Sequence, residues 1–252
     1  VTASGDGGRR VDGVLLDIDD TLVDTHGAFA AALAAVARAS LPHLAGAEVE
    51  ALADHWRTDA HGRYRAYTRG EQTYRSQRMA RANDLHAAFG GPPLDDAGFD
   101  AWNAVFEQAF TGAWAAHPEA VAVLDRLLGA GIVVGALTNA ATGYQTRKLR
   151  AVGLHGRIEV LVGVDTLGVG KPDPRVFAEA CRRLGTAPGR TAYVGDELDV
   201  DARAATAAGL LGIWLDRPGI GLKGTARLEP VPGEIVIRSL DALPDVLGVR
   251  GD

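Results

Sequence analysis

Carboxylates, a hydroxyl and a lysine recur in this sequence at the ends of short apolar runs. Asp17 and Asp19 lie in Asp17-Ile18-Asp19-Asp20-Thr21, and Thr138 and Asn139 close a second run. Lys171 sits in Gly170-Lys171-Pro172-Asp173-Pro174, and Asp196 follows Gly195 with Asp199 and Asp201 close behind. In extended chain Asp17 and Asp19 point the same way. Two carboxylates about 4 Å apart repel by about 4 kcal/mol at an effective dielectric near 20, so clustering Asp17, Asp196 and Asp201 requires compensating charge. Lys171 alone does not supply enough. A hard divalent cation with oxygen ligands does, and magnesium suits a site that also coordinates phosphate. Such a cation offsets the repulsion between an anionic nucleophile and an anionic substrate.

Each residue alone has a plain structural explanation. A pair of aspartates at a strand end is common in loops, and Thr138 or Asn139 could cap the next helix. Lys171 beside two prolines could be an exposed turn residue, and Asp196, Asp199 and Asp201 could serve turns and caps. Their joint occurrence, in this order and each at a strand end, is what a catalytic rim requires.

The elements that must position them are legible as alternation. Apolar runs over 11–16, 132–137, 159–164, 191–194, 211–215 and 234–237 read as buried strands. Helical patterns fall between them around 118–129, 141–152, 174–184 and 200–208, with Pro118 suited to a first helical residue and Gly131 and Gly153 to C-terminal stops. This predicts an α/β fold with a parallel sheet between helices, whose chemistry lies at the carboxyl ends of the strands. Between about 25 and 112 no strand is expected, and the segment reads as an inserted helical bundle. Trp56, Tyr64, Tyr67 and Tyr74 recur near multiples of 3.6, which suggests one aromatic helix face. Arg63, Arg65, Arg69, Arg75, Arg78 and Arg81 in the same segment read as a solvated helix face.

At 252 residues the chain can hold one large core, or a core with a smaller insert, and its 47% hydrophobic and 23% charged residues are ordinary for a globular protein. A net charge of -6 suggests neither a nucleic-acid partner nor a membrane anchor. Residues 1–8 read as a loose tail, and the apolar stretch after Arg9 and Arg10 is too short for an export signal. The lone Cys181 reads as a small apolar residue on a helix face and cannot form an intramolecular disulfide, which fits a cytoplasmic location. The loop over 217–233 is rich in Gly and Pro and needs no regular structure. The histidines show no metal-ligand spacing.

Taken together, DIDDTL, LTN, GKPDP and GDELDVD resemble, in order, the sequence motifs of the haloacid dehalogenase-like (HAD) hydrolase superfamily. The resemblance covers essentially the whole chain, including a helical cap inserted after the first motif, as in the subfamily with a C1-type cap. It implies a Rossmann-like doubly wound core over 1–24 and 113–252, and a cap over 25–112 that moves on hinges near 23–26 and 111–117. The implied activity is that of a phosphoric monoester hydrolase using Mg2+ on a small-molecule phosphate ester of the nucleotide or sugar phosphate class. Asp17 would attack phosphorus, and Asp19 would protonate the leaving oxygen and later activate water. Thr138, Asn139 and Lys171 would bind the phosphoryl group. Asp17, the backbone carbonyl of Asp19 and Asp196 would ligate the metal, with Asp201 orienting metal-bound water or Lys171. Many relatives have Asn where Val200 stands, which leaves that outer shell open. Dehalogenases and phosphonatases of the superfamily lack an acid at the position of Asp19, so Asp19 favours phosphate esters. Gly70-Glu71-Gln72-Thr73 is similar to a segment in caps of some nucleotide- and sugar-phosphate phosphatases. A sugar-phosphate phosphotransferase resembling the mutases, or a non-catalytic binding protein on the same fold, remain as alternatives.

Overall fold

Each apolar run contains a strand. In the computed structural model β1 (Gly13–Leu16), β2 (Val133–Leu137), β3 (Val160–Val162), β4 (Thr191–Gly195), β5 (Leu211–Leu215) and β6 (Ile235–Ile237) form one sheet in the order β3-β2-β1-β4-β5-β6. Every pairing is parallel. The fold is therefore α/β and Rossmann-like. The structure describes residues 11–218 and 229–249, so the tail over 1–8, Arg9 and Arg10, and residues 219–228 of the glycine- and proline-rich loop lie outside it. Two compact units emerge: the described residues 11–22, 116–218 and 229–249 make one, and Val23–Ala115 the other.

β1 lies at the centre of the sheet, with Gly13 opposite Val133 on one side and Thr191 on the other. All four of its residues are buried, as expected for a strand covered on both faces. The chain builds outward from β1 through β2 and β3, then returns to lay β4, β5 and β6 on the opposite side. The strand order thus reverses between β1 and β4. Loops there diverge and leave a crevice outside the carboxyl ends, and Asp17 and Asp196 leave the sheet beside it.

The second unit holds α1 (Thr25–Ser40), α2 (Ala47–Thr58), α3 (Arg63–Thr68), α4 (Tyr74–Ala88) and α5 (Asp96–Gly112), and none of the sheet strands. Its core is aromatic. Phe99, Trp102, Phe106 and Phe110 recur along one buried face of α5. Trp102 and Phe106 stack at 5.3 Å between ring centroids, Trp56 lies 5.5 Å from Phe106, and Phe29 lies 4.7 Å from Phe110. The expectation of one aromatic helix face is corrected here. Trp56, Tyr64 and Tyr74 belong to three different helices, because the left-handed glycines Gly62 and Gly70 break the chain between them. Tyr64, Tyr67 and Tyr74 still touch in sequence, at 5.8 and 5.6 Å. The arginines are not a uniformly solvated face either. Arg78 and Arg81 are largely buried against the aromatic core, with guanidinium carbons 4.2 Å from the Phe106 centroid and 4.1 Å from that of Trp56. Arg63, Arg69 and Arg75 pair with the carboxylates Asp84, Glu71, Asp96 and Asp100. Gly70-Glu71-Gln72-Thr73 forms the turn between α3 and α4, ending with Thr73 accepting the Ser76 N–H as an N-cap at 3.1 Å.

In the sheet unit follow α6 (Ala120–Gly129), α7 (Thr142–Ala151), α8 (Val164–Leu167), α9 (Pro174–Leu184), α10 (Ala204–Ala207) and α11 (Leu243–Val246). α6 begins at Ala120, so Pro118 occupies the preceding turn rather than the first helical position. α9 is capped by Asp173, starts on Pro174 and stops at left-handed Gly185. Its buried face, including Phe177 and Cys181, packs with Leu15, Leu137 and Tyr193 of the sheet. Burial pushes the Cys181 thiol up, which makes it a poor nucleophile. Where a helix over 200–208 is expected, a π-helical turn (Leu198–Arg203) precedes the short α10. No helix among the described residues is long and apolar enough to cross a membrane.

Candidate active site

β1 ends at Leu16, and the Asp17 N–H still donates to the Val194 carbonyl of β4 at 2.9 Å. That bond holds the Asp17 backbone at the rim of the crevice, with its side chain almost buried. On the other side of β1, the Thr138 N–H extends the β2–β3 ladder to the Val162 carbonyl at 3.0 Å. The fourth strand ends at Gly195, where an added Cβ would lie 2.3 Å from the Asp201 carboxyl carbon. Only glycine lets Asp201 fold back over the strand end. The π turn fixes that return, since the Asp201 carboxylate accepts the Glu197 N–H at 2.9 Å. Gly212 on β5 accommodates the same turn, because a Cβ there would meet the Ala202 carbonyl at 2.0 Å.

Lys171 is the hub. Its Nζ ion-pairs with Asp17 Oδ1 at 2.9 Å and with Asp201 Oδ1 at 2.7 Å, and donates to the Tyr193 hydroxyl at 2.7 Å. An ammonium has three donors, and three oxygens surround this one. Burial alone would lower its pKa, but Asp17 and Asp201 outweigh that and hold the amine well above the usual lysine range. Burial, with Asp201 next, raises the Tyr193 phenol, which stays protonated and lies within reach of the Leu137 carbonyl at 3.0 Å and Asp201 at 3.1 Å. Asn139 grips the Lys171 main chain at both polar groups: its Nδ2 donates to the Lys171 carbonyl at 3.0 Å, and its Oδ1 accepts the Lys171 N–H at 2.6 Å. Its side chain is therefore engaged in placing Lys171.

Asp17, Asp196 and Asp201 each offer an oxygen, and these oxygens lie within 4.8 Å of one another. Three carboxylates that close, with Lys171 paired to two of them, are oxygen donors of the kind a hard divalent cation takes. Trp214 Nε1 donates to the Asp196 carbonyl at 3.0 Å and steadies that end of the cluster. Asp199 turns instead to Arg203 at 2.7 Å.

Asp19 is held from another direction, by residues that motif reading passed over. Gln145 Nε2 donates to Asp19 Oδ2 at 2.6 Å, and Lys148 Nζ ion-pairs with Asp19 Oδ1. Gln145 Nε2 also donates to Thr138 Oγ1 at 3.0 Å. The signal was available in the sequence: a Gln and a Lys three apart share one face of the helix that follows Thr138. Tyr193 had a weaker one, a phenol hydroxyl in the middle of the apolar run of β4. Arg217 secures the loop after β1 by donating to the Asp20 and Thr21 carbonyls at 3.2 and 2.8 Å, while pairing with Glu119 at 2.6 Å.

A family model described as a haloacid dehalogenase-like hydrolase matches residues 11–209. The glyceraldehyde 3-phosphate phosphatase of Methanopyrus kandleri is 38% identical over 101 residues, 40% of this chain and 43% of that one. The phosphoserine phosphatase of Thermus thermophilus is 38% identical over 101 residues, 40% of this chain and 41% of that one. The chain thus spans less than half the length of these curated relatives in the matched region. A dehalogenase also matches, the (S)-2-haloacid dehalogenase 4A of Burkholderia cepacia, 34% identical over 79 residues, 31% of this chain and 34% of that one. Among solved structures, the magnesium-bound HAD-hydrolase YfnB of Bacillus subtilis superposes with a TM-score of 0.77 at 21% identity, covering 96% of this chain and 100% of that one.

Proposed function

The chain belongs to the haloacid dehalogenase-like hydrolases, and within that family we propose that it is a magnesium-dependent phosphatase of small-molecule phosphate monoesters, acting through an aspartyl-phosphate on Asp17. The observation that carries this reading is the second carboxylate, Asp19, held by Gln145 and Lys148 beside the phosphate-binding candidate Thr138. A halide departs as a stable anion, whereas an alkoxide needs a proton, which in this reading Asp19 gives.

Asp17 Oδ attacks phosphorus, the bond from phosphorus to the ester oxygen breaks, and that oxygen takes the proton of Asp19. Asp19, now ionised, removes a proton from water as the water oxygen attacks the same phosphorus. The bond from phosphorus to Asp17 breaks, releasing inorganic phosphate and restoring the Asp17 carboxylate and the protonated Asp19. Lys171 holds the nucleophile and supplies positive charge to the phosphoryl oxygens. Thr138 Oγ1 accepts N–H groups from Gln145 and from Ala140, so its own hydrogen is the donor it can offer a phosphoryl oxygen. Asp17, the Asp19 carbonyl and Asp196 are the residues that would hold Mg2+, with Asp201 fixing Lys171; bound there, the ion neutralises charge between nucleophile and ester. The helical segment over 25–112 serves in this reading as the cap.

Names of the relatives favour small phosphorylated metabolites, glyceraldehyde 3-phosphate and phosphoserine among them. The test is phosphate release from a panel with magnesium, containing those two compounds, nucleotides, sugar phosphates and a 2-haloacid. Release from at least one ester supports the reading. Halide release with no phosphate release refutes it, and phosphoryl transfer to a sugar in place of water would identify a mutase.

A further inference from the structure

We infer that Gln145 and Lys148 are positioning residues for the acid–base step, a two-point clamp from α7 that fixes the carboxylate of Asp19. The inference rests on the reading of Asp19 as acid and base. Asp19 lies on the loop after β1, and its side chain is 28% exposed. A carboxylate so placed has room to sample several rotamers. Here each of its oxygens is held by a separate donor, Oδ2 by Gln145 and Oδ1 by Lys148. Holding both oxygens fixes the plane of the carboxylate and still leaves lone pairs for a reacting group.

Stability does not explain the clamp. Gln145 and Lys148 are both essentially inaccessible to solvent, at 0% and 2% exposure. Removing an ammonium from water costs several kcal/mol, and replacing a buried ion pair with apolar residues of similar volume is often neutral or stabilising. A helix face selected only for packing would carry Leu or Met at these positions. The polar pair faces the one carboxylate that must meet a leaving group and then a water.

The clamp also reaches the phosphate site. Gln145 Nε2 has two hydrogens, one directed to Asp19 and the other to Thr138 Oγ1. The amide orientation is the one in which Nε2 faces both oxygens. One side chain therefore sets the spacing between the proton-transfer carboxylate and the hydroxyl that faces the phosphoryl group. Misplacing a reacting group by about 1 Å can cost on the order of 10²-fold in rate.

The experiment is a double-mutant cycle in the full chain with magnesium. Lys148→Met and Gln145→Leu are made alone and in Asp19→Asn, and thermal melts select variants that remain folded. Single-turnover formation of the phospho-enzyme, detected by intact mass, and steady-state turnover are measured with an alkyl phosphate and with p-nitrophenyl phosphate. We expect either single variant to lower kcat for the alkyl phosphate by ~10–10²-fold with little change in KM, and to affect p-nitrophenyl phosphate less. In Asp19→Asn, Lys148→Met should change turnover by less than ~3-fold, because it acts through Asp19 alone, whereas Gln145→Leu should keep only the part of its loss that runs through Thr138. An equal loss in both backgrounds, or a loss confined to KM, overturns the clamp while leaving the acid role of Asp19 intact. If Asp19→Asn itself treats both leaving groups alike, the acid role fails first and the clamp with it.

Discussion

Replacing Tyr193 with phenylalanine removes one oxygen and keeps the ring that packs edge-on against Phe177 at 5.2 Å. The substitution removes the hydrogen bond from Lys171 Nζ to the phenol at 2.7 Å, together with the phenol's own donation toward the Leu137 carbonyl or Asp201. Lys171 is 3% exposed, so no solvent stands ready to replace the lost partner. A hydrogen bond to a charged group contributes about 1.5–3 kcal/mol, and the added apolar burial of phenylalanine offsets little of that. We therefore expect a loss of about 2–3 kcal/mol in unfolding free energy, a large fraction of a typical domain's stability. Asp17 and Asp201 still bracket the ammonium, so turnover should fall by only ~10-fold, less than for a group that touches the reacting atoms. Urea unfolding gives the first quantity, provided the slope against denaturant is unchanged. A stability change under ~0.5 kcal/mol with wild-type turnover would show that the two carboxylates alone place Lys171, and the hub as described would be wrong.

Excess chelator should abolish ester hydrolysis and added magnesium should restore it; full activity after verified metal removal would sink the cation reading. Asp17→Asn should lose at least ~10³-fold in turnover and show no phosphate adduct by intact mass, whereas a persisting adduct would move the nucleophile elsewhere. Asp19→Asn should lose ~10²–10⁴-fold, more with an alkyl phosphate than with p-nitrophenyl phosphate, and a uniform loss would count against proton transfer. Burial raises the Glu119 carboxyl, but a backbone hydrogen bond and Arg217 outweigh it and hold the folded value below the usual range, so its contribution is present above the unfolded value and lost as pH falls through the folded one. Glu119→Gln should accordingly reduce the loss of stability on acidification through about pH 4, measured by urea melts, and an unchanged pH profile would refute the pairing's role.

The sheet was legible because a doubly covered strand admits only apolar residues, and each of the runs ended in the polar residues that now crowd one rim. Sequence pattern failed where geometry depended on breaks rather than period. The spacing of Trp56, Tyr64, Tyr67 and Tyr74 matched a helix, yet Gly62 and Gly70 interrupt it, and the residues meet by tertiary packing instead. Arg78 and Arg81 looked solvated because arginine usually is. Their burial is made tolerable by rings and carboxylates distant in sequence: Phe106 and Glu107 of α5 for Arg78, and Trp56 of α2 with Asp59 for Arg81. In the site, motif residues at strand ends were visible, but the groups that hold them were not. Tyr193 lies within a buried strand, and Gln145 and Lys148 on a helix, places where composition alone suggests packing.

Those supporting groups change the charge balance of the site. From the sequence, Lys171 is the single cation against the cluster of Asp17, Asp196 and Asp201, with Asp19 nearby. The fold adds Lys148, also buried, and assigns each lysine its own carboxylates: Lys171 takes Asp17 and Asp201, and Lys148 takes Asp19. With Asp19 ionised, four carboxylates against two lysines leave two negative charges, the deficit one divalent cation cancels. The division has a chemical consequence. In the proposed reaction the lysine that contacts the nucleophile is separate from the one that contacts the acid, so Asp17 could become an acyl phosphate without freeing Asp19 from Lys148. Each carboxylate keeps its own counter-ion through a cycle in which both change charge, and the site avoids the like-charge repulsion that would otherwise couple the two steps.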